Sequence, residues 1–360
     1  LSDARKDLMG LGRAELAAEM AAIGEKPFRA KQLWHWIYHQ GVTDFALMTT
    51  LAKPLRDRLA ETHKVGRLTM TREQISEDTT RKWLLGLSDG NEIETVYIPE
   101  DDRGAVCVST QVGCTLTCRF CHTGTQPLVR NLTAAEIVGQ VMAGRDAIGE
   151  WPTPQDERML SNVVVMGMGE PLFNYDEVAK ALTILMDREG ISISKRRITL
   201  STAGVVPMMK RLGEELGVKL AVSLHAATDE VRDRIMPINK KYPLAELMRA
   251  CRDYPGASNA RRITFEYIML KGVNDGPEDA RELLRLVKGI PCKFNLIPFN
   301  AWPGSPFETP SIAAMQRFSR ILLDAGYSAP IRAPRGRDIL AACGQLRSDS
   351  ERGKRDRAEA

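Results

Sequence analysis

From residue 105 to residue 298 the chain alternates short apolar runs with longer segments of helical period, and this alternation restricts the fold more than any other feature. The runs 105–109, 162–167, 196–201, 218–224, 262–269 and 293–298 predict strands. The segments 133–147, 175–188, 205–216, 228–252 and 277–288 predict helices between them, the first opened by the capping box Thr133-Ala-Ala-Glu136. A strand, a crossover helix and a second strand imply parallel pairing, since a hairpin turn would reverse the chain. Six such units are too few for a closed eight-fold barrel. The expected fold is α/β: an open, TIM-like partial (β/α)6 barrel with ligands at the C-terminal ends of its strands.

The texture differs before residue 105. Ala14–Ile23, Lys31–His39 and Leu47–His63 read as helices. Leu68–Ile75, Arg81–Leu87 and Glu92–Ile98 are short and partly alternating, with Ser88-Asp89-Gly90-Asn91 as a turn. The implied division is an N-terminal helical accessory domain at 1–66, an antiparallel β extension at 67–104, a core at 105–346 and a disordered charged tail at 347–360. Residues 26–72 carry nine Lys or Arg against three acids, interleaved with Phe28, Trp34, Trp36, Tyr38 and Phe45. One reading is an RNA-facing surface of cations and stacking rings. The other is a helical bundle with Trp34, Ile37 and Tyr38 as its core stripe. A net charge of +4 does not choose between them. No apolar run reaches bilayer length and no signal-peptide pattern opens the chain, so a cytoplasmic location without a membrane partner is expected.

Three of the seven cysteines fall within Cys114-Thr-Leu-Thr-Cys118-Arg-Phe-Cys121; Cys107, Cys251, Cys292 and Cys343 stand alone. A structural zinc site is closed by four ligands, usually as two paired knuckles, and no second pair exists here. His122 follows Cys121 directly and would strain to share its metal. Scattered cysteines at this frequency suit a reducing compartment rather than a disulfide framework. A 4Fe-4S cluster held by three thiolates keeps one iron open for chemistry. The spacing resembles the signature of the radical S-adenosylmethionine (SAM) superfamily. That resemblance implies that the open iron binds SAM and reduces it to a 5′-deoxyadenosyl radical.

Further motifs fall at predicted strand ends: Met166-Gly-Met-Gly-Glu170-Pro171, Ser201-Thr-Ala-Gly204, Ser223-Leu224-His225 and Ile297-Pro-Phe-Asn300. Together they offer one pocket hydrogen-bonding groups for a sulfonium nucleoside. With Glu94-Thr-Val-Tyr-Ile-Pro99, Cys107-Val-Ser-Thr-Gln-Val-Gly-Cys114, Arg335-Gly-Arg-Asp338 and Ala342-Cys343-Gly344-Gln345-Leu346, the chain resembles the RlmN family of dual-specificity rRNA and tRNA adenine-C2 methyltransferases. The resemblance runs from the helical start to about Leu346. It implies that Cys114, Cys118 and Cys121 hold the cluster. Gly169, Glu170, Ser201, Ser223, Leu224, His225 and Asn300 would contact SAM, of which two are used per turnover. Cys343 would carry the methyl group as S-methylcysteine. Cys107 would release the product and leave a Cys107–Cys343 disulfide, and Glu94 would act as an acid/base residue. The implied partners are 23S rRNA in its peptidyl-transferase region, the adenine 3′ to the anticodon of tRNA, and a flavodoxin-type electron donor; the expected state is a monomer.

Adenine C2 is electron-poor and its hydrogen scarcely acidic, so attack by C2 on a methyl sulfonium is implausible, whereas a carbon radical adds there directly. The target base must be flipped or already unpaired. Arg335 and Arg337, close to Cys343, are the basic residues best placed in sequence for RNA phosphates. Two alternatives stand beside this reading: the related methylase acting on C8 of the rRNA adenine, and a zinc-containing RNA-binding protein without turnover.

Overall fold

The computed structural model describes residues 4–348. Three N-terminal helices, α1 (Arg13–Ala22), α2 (Phe28–Trp34) and α3 (Lys53–Thr62), precede the sheet, and α2 runs on into a π-helical turn at His35–His39. Trp34, Ile37 and Tyr38 are buried, as are Leu16, Met20, Leu55 and Leu59. The core-stripe reading therefore holds, and most of the aromatics proposed for stacking on RNA are occupied in packing. Phe28 and Trp36 are the exceptions: Phe28 is half exposed with Arg29 over its ring, and Trp36 is half-buried with its indole N–H on Thr50 Oγ1 at 2.8 Å. The bundle is tied to the rest of the chain at Asp187. That carboxylate accepts two bonds from Arg13, 2.6 and 2.7 Å, and one from the Trp34 indole at 3.2 Å.

One nine-stranded sheet follows, comprising β1 (Thr69–Ile75), β2 (Arg81–Gly86), β3 (Glu92–Glu100), β4 (Arg103–Cys107), β5 (Asn162–Val165), β6 (Ile198–Thr202), β7 (Lys219–Ser223), β8 (Ile263–Met269) and β9 (Cys292–Pro298). The spatial order is the chain order, β9 to β1. Strands β4 to β9 are parallel and β1 to β4 are antiparallel. Because each parallel strand is added on the same side of the last, right-handed crossovers place every connecting helix on one face. The sheet then curls around its other face, and six parallel strands leave it open. This is the partial barrel with its antiparallel extension.

The connecting helices are α4 (Ala134–Ile148), α5 (Tyr175–Met186), α6 (Val206–Glu215), α7 (Asp229–Ile235), α8 (Leu244–Arg252) and α9 (Pro277–Leu286). The capping box of α4 is formed: Glu136 N–H donates to Thr133 Oγ1 at 3.2 Å and Thr133 N–H to Glu136 Oε2 at 2.9 Å. The single helix expected over 228–252 is instead α7, a 3-10 turn at Pro237–Lys240 and α8. Pro237 and Pro243 lack the N–H that a continuous helix needs.

A further helix, α10 (Ile312–Asp324), lies outside the expected elements; Ser311 caps it and it buries Met315, Phe318, Ser319 and Leu322. Beyond α10 the chain returns along the free edge of β9. Phe294 N–H donates to Ser328 O, Leu296 N–H to Pro330 O and Arg332 N–H to Leu296 O, at 2.8, 3.0 and 2.8 Å. An exposed sheet edge is thereby covered. The charged tail expected from 347 begins in order: Arg347 N–H donates to Glu94 and buried Ser348 bonds Gln126. The rest of that expected tail lies outside the described residues. No helix among the described residues is long and apolar enough to cross a membrane.

Candidate active site

The loops at the C-terminal ends of the parallel strands surround one cleft, partly open to solvent. The loop after β4 brings Cys114, Cys118 and Cys121 to it. Gly169 and Glu170 enter after β5, Ser201 from β6, Ser223 and His225 from the end of β7, and Cys343 from the C-terminal segment. Nine of the sequence-predicted site residues thus share one wall-to-wall space.

The cysteine loop is tight. A Cβ on Gly124 would stand 2.5 Å from Cys118 O, and one on Gly113, at φ +75°, 2.2 Å from Pro127 O. Leu116 N–H donates to Cys114 Sγ at 3.3 Å, the kind of contact that favours a thiolate. Burial outweighs it and pushes the Cys114 thiol up to about 12. Cys118 is pushed well above the ordinary thiol range, first by burial and then by its neighbours Cys121 and Cys114. Thiols packed this closely without a cation resist ionising, and a bound metal group reverses that. Among the described residues no group of three His, Cys, Asp or Glu side chains is arranged to hold a single metal ion. A 4Fe-4S cluster offers a separate iron to each thiolate, so its ligands need not converge on one point. Three thiols, one for each of three irons, are the donor set such a cluster takes.

The Glu170 carboxylate is held by the neighbouring loops and stands near enough to Cys114 and Cys118 to raise their thiols further. Oε1 accepts from Leu172 N–H at 3.0 Å and Thr202 Oγ1 at 2.8 Å, and Oε2 from Ala203 N–H at 2.7 Å. It joins the loops after β5 and β6, and burial raises its carboxyl to about 7. Gly169 has φ +98°, and a Cβ there would stand 2.6 Å from Gln111 Cβ. His225 Nδ1 accepts from Ile268 N–H at 3.0 Å, which leaves the ring proton on Nε2. Burial and Arg232 lower its pKa to about 3, so the ring is neutral. Ser201 and Ser223 hydroxyls stand 3.4 Å apart. Leu224 is buried with its N–H on Glu266 O and its carbonyl on Arg232 Nε. Asn300 Nδ2 donates to Cys343 O at 3.2 Å, while its buried Oδ1 has no partner among the described residues. Paired hydroxyls, a neutral imidazole and an unpartnered amide oxygen suit a nucleoside ligand.

Cys343 is exposed within the cleft, yet the surrounding protein and Glu266 push its thiol up to about 11. Gly344 O accepts from His122 N–H at 2.7 Å, so its loop lies directly on the cysteine loop. Cys107, at the end of β4, is half-buried; burial and then Cys343 raise it to about 12. All seven cysteines are free thiols. Glu94 stands apart from the cleft lining. Its Oε1 pairs with Lys82 Nζ at 2.9 Å and its Oε2 accepts from Arg347 N–H at 2.7 Å. Burial raises its carboxyl above the ordinary range against the pull of Lys82, and each oxygen keeps a lone pair beyond these contacts.

Two site residues were not anticipated. Glu266, in the middle of the fully buried β8, lines the cleft, accepts from Asn295 Nδ2 at 2.9 Å and is raised by burial to about 7. A lone acid within Ile263-Thr-Phe-Glu-Tyr-Ile-Met269 was the available signal. Arg232, fully buried on α7, donates to the carbonyls of Leu224, Ala203 and Ser223 at 3.0, 2.7 and 3.2 Å and to Asn239 Oδ1 at 2.8 Å. It gathers the ends of β6 and β7 beneath the cleft.

An open parallel barrel with three thiols in a cleft at its strand ends defines a radical SAM enzyme, and the radical SAM superfamily model matches residues 108–287. The model of the ribosomal RNA large subunit methyltransferase N-terminal domain matches residues 6–65. The chain is 74% identical over 347 residues to the dual-specificity RNA methyltransferase RlmN of Rhodospirillum rubrum, across 96% of this chain and 81% of that one. It is 71% identical over 363 residues to the RlmN of Paramagnetospirillum magneticum, across 100% of this chain and 80% of that one. The crystal structure of a radical SAM methyltransferase from Sphaerobacter thermophilus, 46% identical, matches with a TM-score of 0.88 over 95% of this chain and 99% of the other. The chain belongs to the RlmN family of RNA methyltransferases, which use a 4Fe-4S cluster and SAM.

Proposed function

We propose that this chain methylates C2 of an adenine in 23S rRNA and C2 of the adenine 3′ to the anticodon in tRNA. The observation that supports it most is the convergence of Cys114, Cys118, Cys121 and Cys343 on one cleft. In this reading Cys114, Cys118 and Cys121 hold the cluster. The backbone at Gly169 and Glu170, with Ser201, Ser223, His225 and Asn300, holds SAM; Leu224 contributes apolar packing, since its own N–H and carbonyl are taken.

When bound, the cluster and SAM supply a methyl group to a thiol and a carbon radical that removes hydrogen. Cys343 gives up its proton and keeps the methyl as a thioether. The carbon on Cys343 sulfur joins adenine C2, tethering the RNA to the enzyme. The adduct gives one electron back to the electron-transfer chain that supplied it and loses the C2 proton; the Cys107 thiolate then attacks Cys343 sulfur, the S–CH2 bond breaks, the freed carbon takes a proton to become the methyl group, and a Cys107–Cys343 disulfide remains to be reduced. Burial disfavours both thiolates, so each forms only as its reaction proceeds. His225, held neutral, orients the nucleoside as an Nε2–H donor and does not transfer a proton. Arg335 donates to Asp78 O and Pro99 O, at 3.0 and 3.1 Å, so its guanidinium braces the protein; exposed Arg337 is the better candidate for RNA phosphate. A flavodoxin-type donor, a monomeric state and a cytoplasmic location complete the reading.

Product analysis tests it. Reaction with unmodified RNA gives 2-methyladenosine on nucleoside mass spectrometry; 8-methyladenosine would assign the chain to the C8 chemistry instead.

A further inference from the structure

After covering the edge of β9, the C-terminal segment does not leave the molecule. Residues 335–348 cross to the opposite end of the sheet and bind the antiparallel extension. Gly336 N–H donates to Asp78 Oδ2 at 2.9 Å, Asp338 accepts from Ser76 Oγ and from Glu77 N–H, and Arg335 reaches Asp78 O. The segment then turns over the cysteine loop, with Gly344, Gln345 and Leu346 carbonyls on His122 and Thr123. The result is a strap from one edge of the open barrel to the other, with Cys343 at its middle.

Both limbs of the strap end on one ion pair. Lys82 Nζ donates to Leu340 O at 3.3 Å, three residues before Cys343. Glu94 Oε2 accepts from Arg347 N–H at 2.7 Å, four residues after it. Lys82 lies opposite Val96 and Glu94 opposite Leu84, which makes the two charged residues diagonal neighbours on one face of the β2–β3 pair. Their side chains are only 8% and 7% exposed. A buried ion pair holds little net stability over an apolar pair, so its worth lies in fixing a geometry. Here each partner, besides the other, holds one backbone group of the strap: Lys82 the Leu340 carbonyl and Glu94 the Arg347 N–H.

We propose that the Lys82–Glu94 pair is a positioning device that fastens both limbs of the strap and so sets where the Cys343 thiol stands over the cysteine loop. Through Arg347 N–H, Glu94 acts on the position of Cys343. The catalytic consequence rests on Cys343 as methyl carrier; the mechanical claim does not.

Amide hydrogen exchange on the cluster-reconstituted enzyme tests the mechanical claim. Lys82→Met and Glu94→Gln should each speed exchange in the 339–347 peptide by about tenfold, the factor for losing one charge-assisted hydrogen bond. Exchange in β6 and β7 and the iron content should not change. Asp78→Asn, at the less buried end of the strap, should give a smaller rise, and it decides the matter should Lys82→Met fail to fold. Methyl transfer to Cys343 without RNA should fall in Lys82→Met and Glu94→Gln and return in Lys82→Arg. Unchanged exchange in all of these variants would overturn the proposal. So would a Glu94→Gln enzyme that methylates Cys343 normally and fails only with RNA, since Glu94 would then act on the substrate. If Cys343 proved not to carry the methyl, the exchange result would still stand, which separates failure of that reading from failure of this one.

Discussion

The two halves of the cleft are built by different means. The cluster end is local: three thiols lie within eight residues, on a loop whose glycines allow one tight path. The Cys343 end is assembled at long range. Its segment is held by Asp78, Lys82, Glu94, His122 and Asn300, which stand 43 to 258 residues away in sequence from their partners. A local loop presents the same ligands each time the chain folds. A strap held by scattered polar contacts can shift as its cysteine changes from thiol to thioether to disulfide. The proposed reaction asks for that contrast, since in it the cluster stays put while Cys343 meets three partners in turn.

The sharpest way to break the comparison is to remove one thiol from each half. Cys118→Ala should abolish iron retention, SAM cleavage and RNA methylation together, read by metal analysis and product assay. Cys343→Ala should abolish RNA methylation and leave iron content and SAM cleavage in place. If the two variants lost the same functions, the halves would not be separable. A smaller effect is expected beneath the cluster end. Arg232→Met leaves the carbonyls of Ala203, Ser223 and Leu224 without their buried donor. That should cost about 2–4 kcal/mol in urea unfolding.

The smallest effect concerns Glu266, on the strand between the halves. Its pKa, raised by burial to about 7 from 4.5, means that the fold holds a proton the unfolded chain releases. This contribution to stability is full below about pH 4.5 and is lost as pH rises through about 7. Glu266→Gln should remove that loss, so urea midpoints of variant and parent should diverge as pH rises from 5 to 8, with an order of 1 kcal/mol at stake. A constant gap across that range would mean that Glu266 is ionised throughout.

The same contrast explains what the sequence made legible. Strand and helix periods marked the parallel barrel, because each strand pairs with its neighbour in the chain. The cysteine loop was legible because its spacing is its geometry. Helix α10 was missed although Ser311 and the buried positions 315, 318 and 322 follow the ordinary cap and period. Pro237 and Pro243 mark the split of 228–252 in the sequence itself. Lys82, Arg232 and the strap contacts were not legible: their meaning comes from partners far along the chain, which no local pattern records. Glu94 shows this most clearly: its motif is local, while its partners Lys82 and Arg347 come from elsewhere in the chain.

The most direct test of the account follows the methyl group itself. Reconstituted enzyme is given SAM with a deuterated methyl, and the Cys343 peptide is read by mass spectrometry before and after RNA is added. The account predicts a labelled thioether on Cys343 first, and label on adenine C2 afterwards. Label arriving at C2 while Cys343 stays unmodified, or arriving from a Cys343→Ala enzyme, would contradict it.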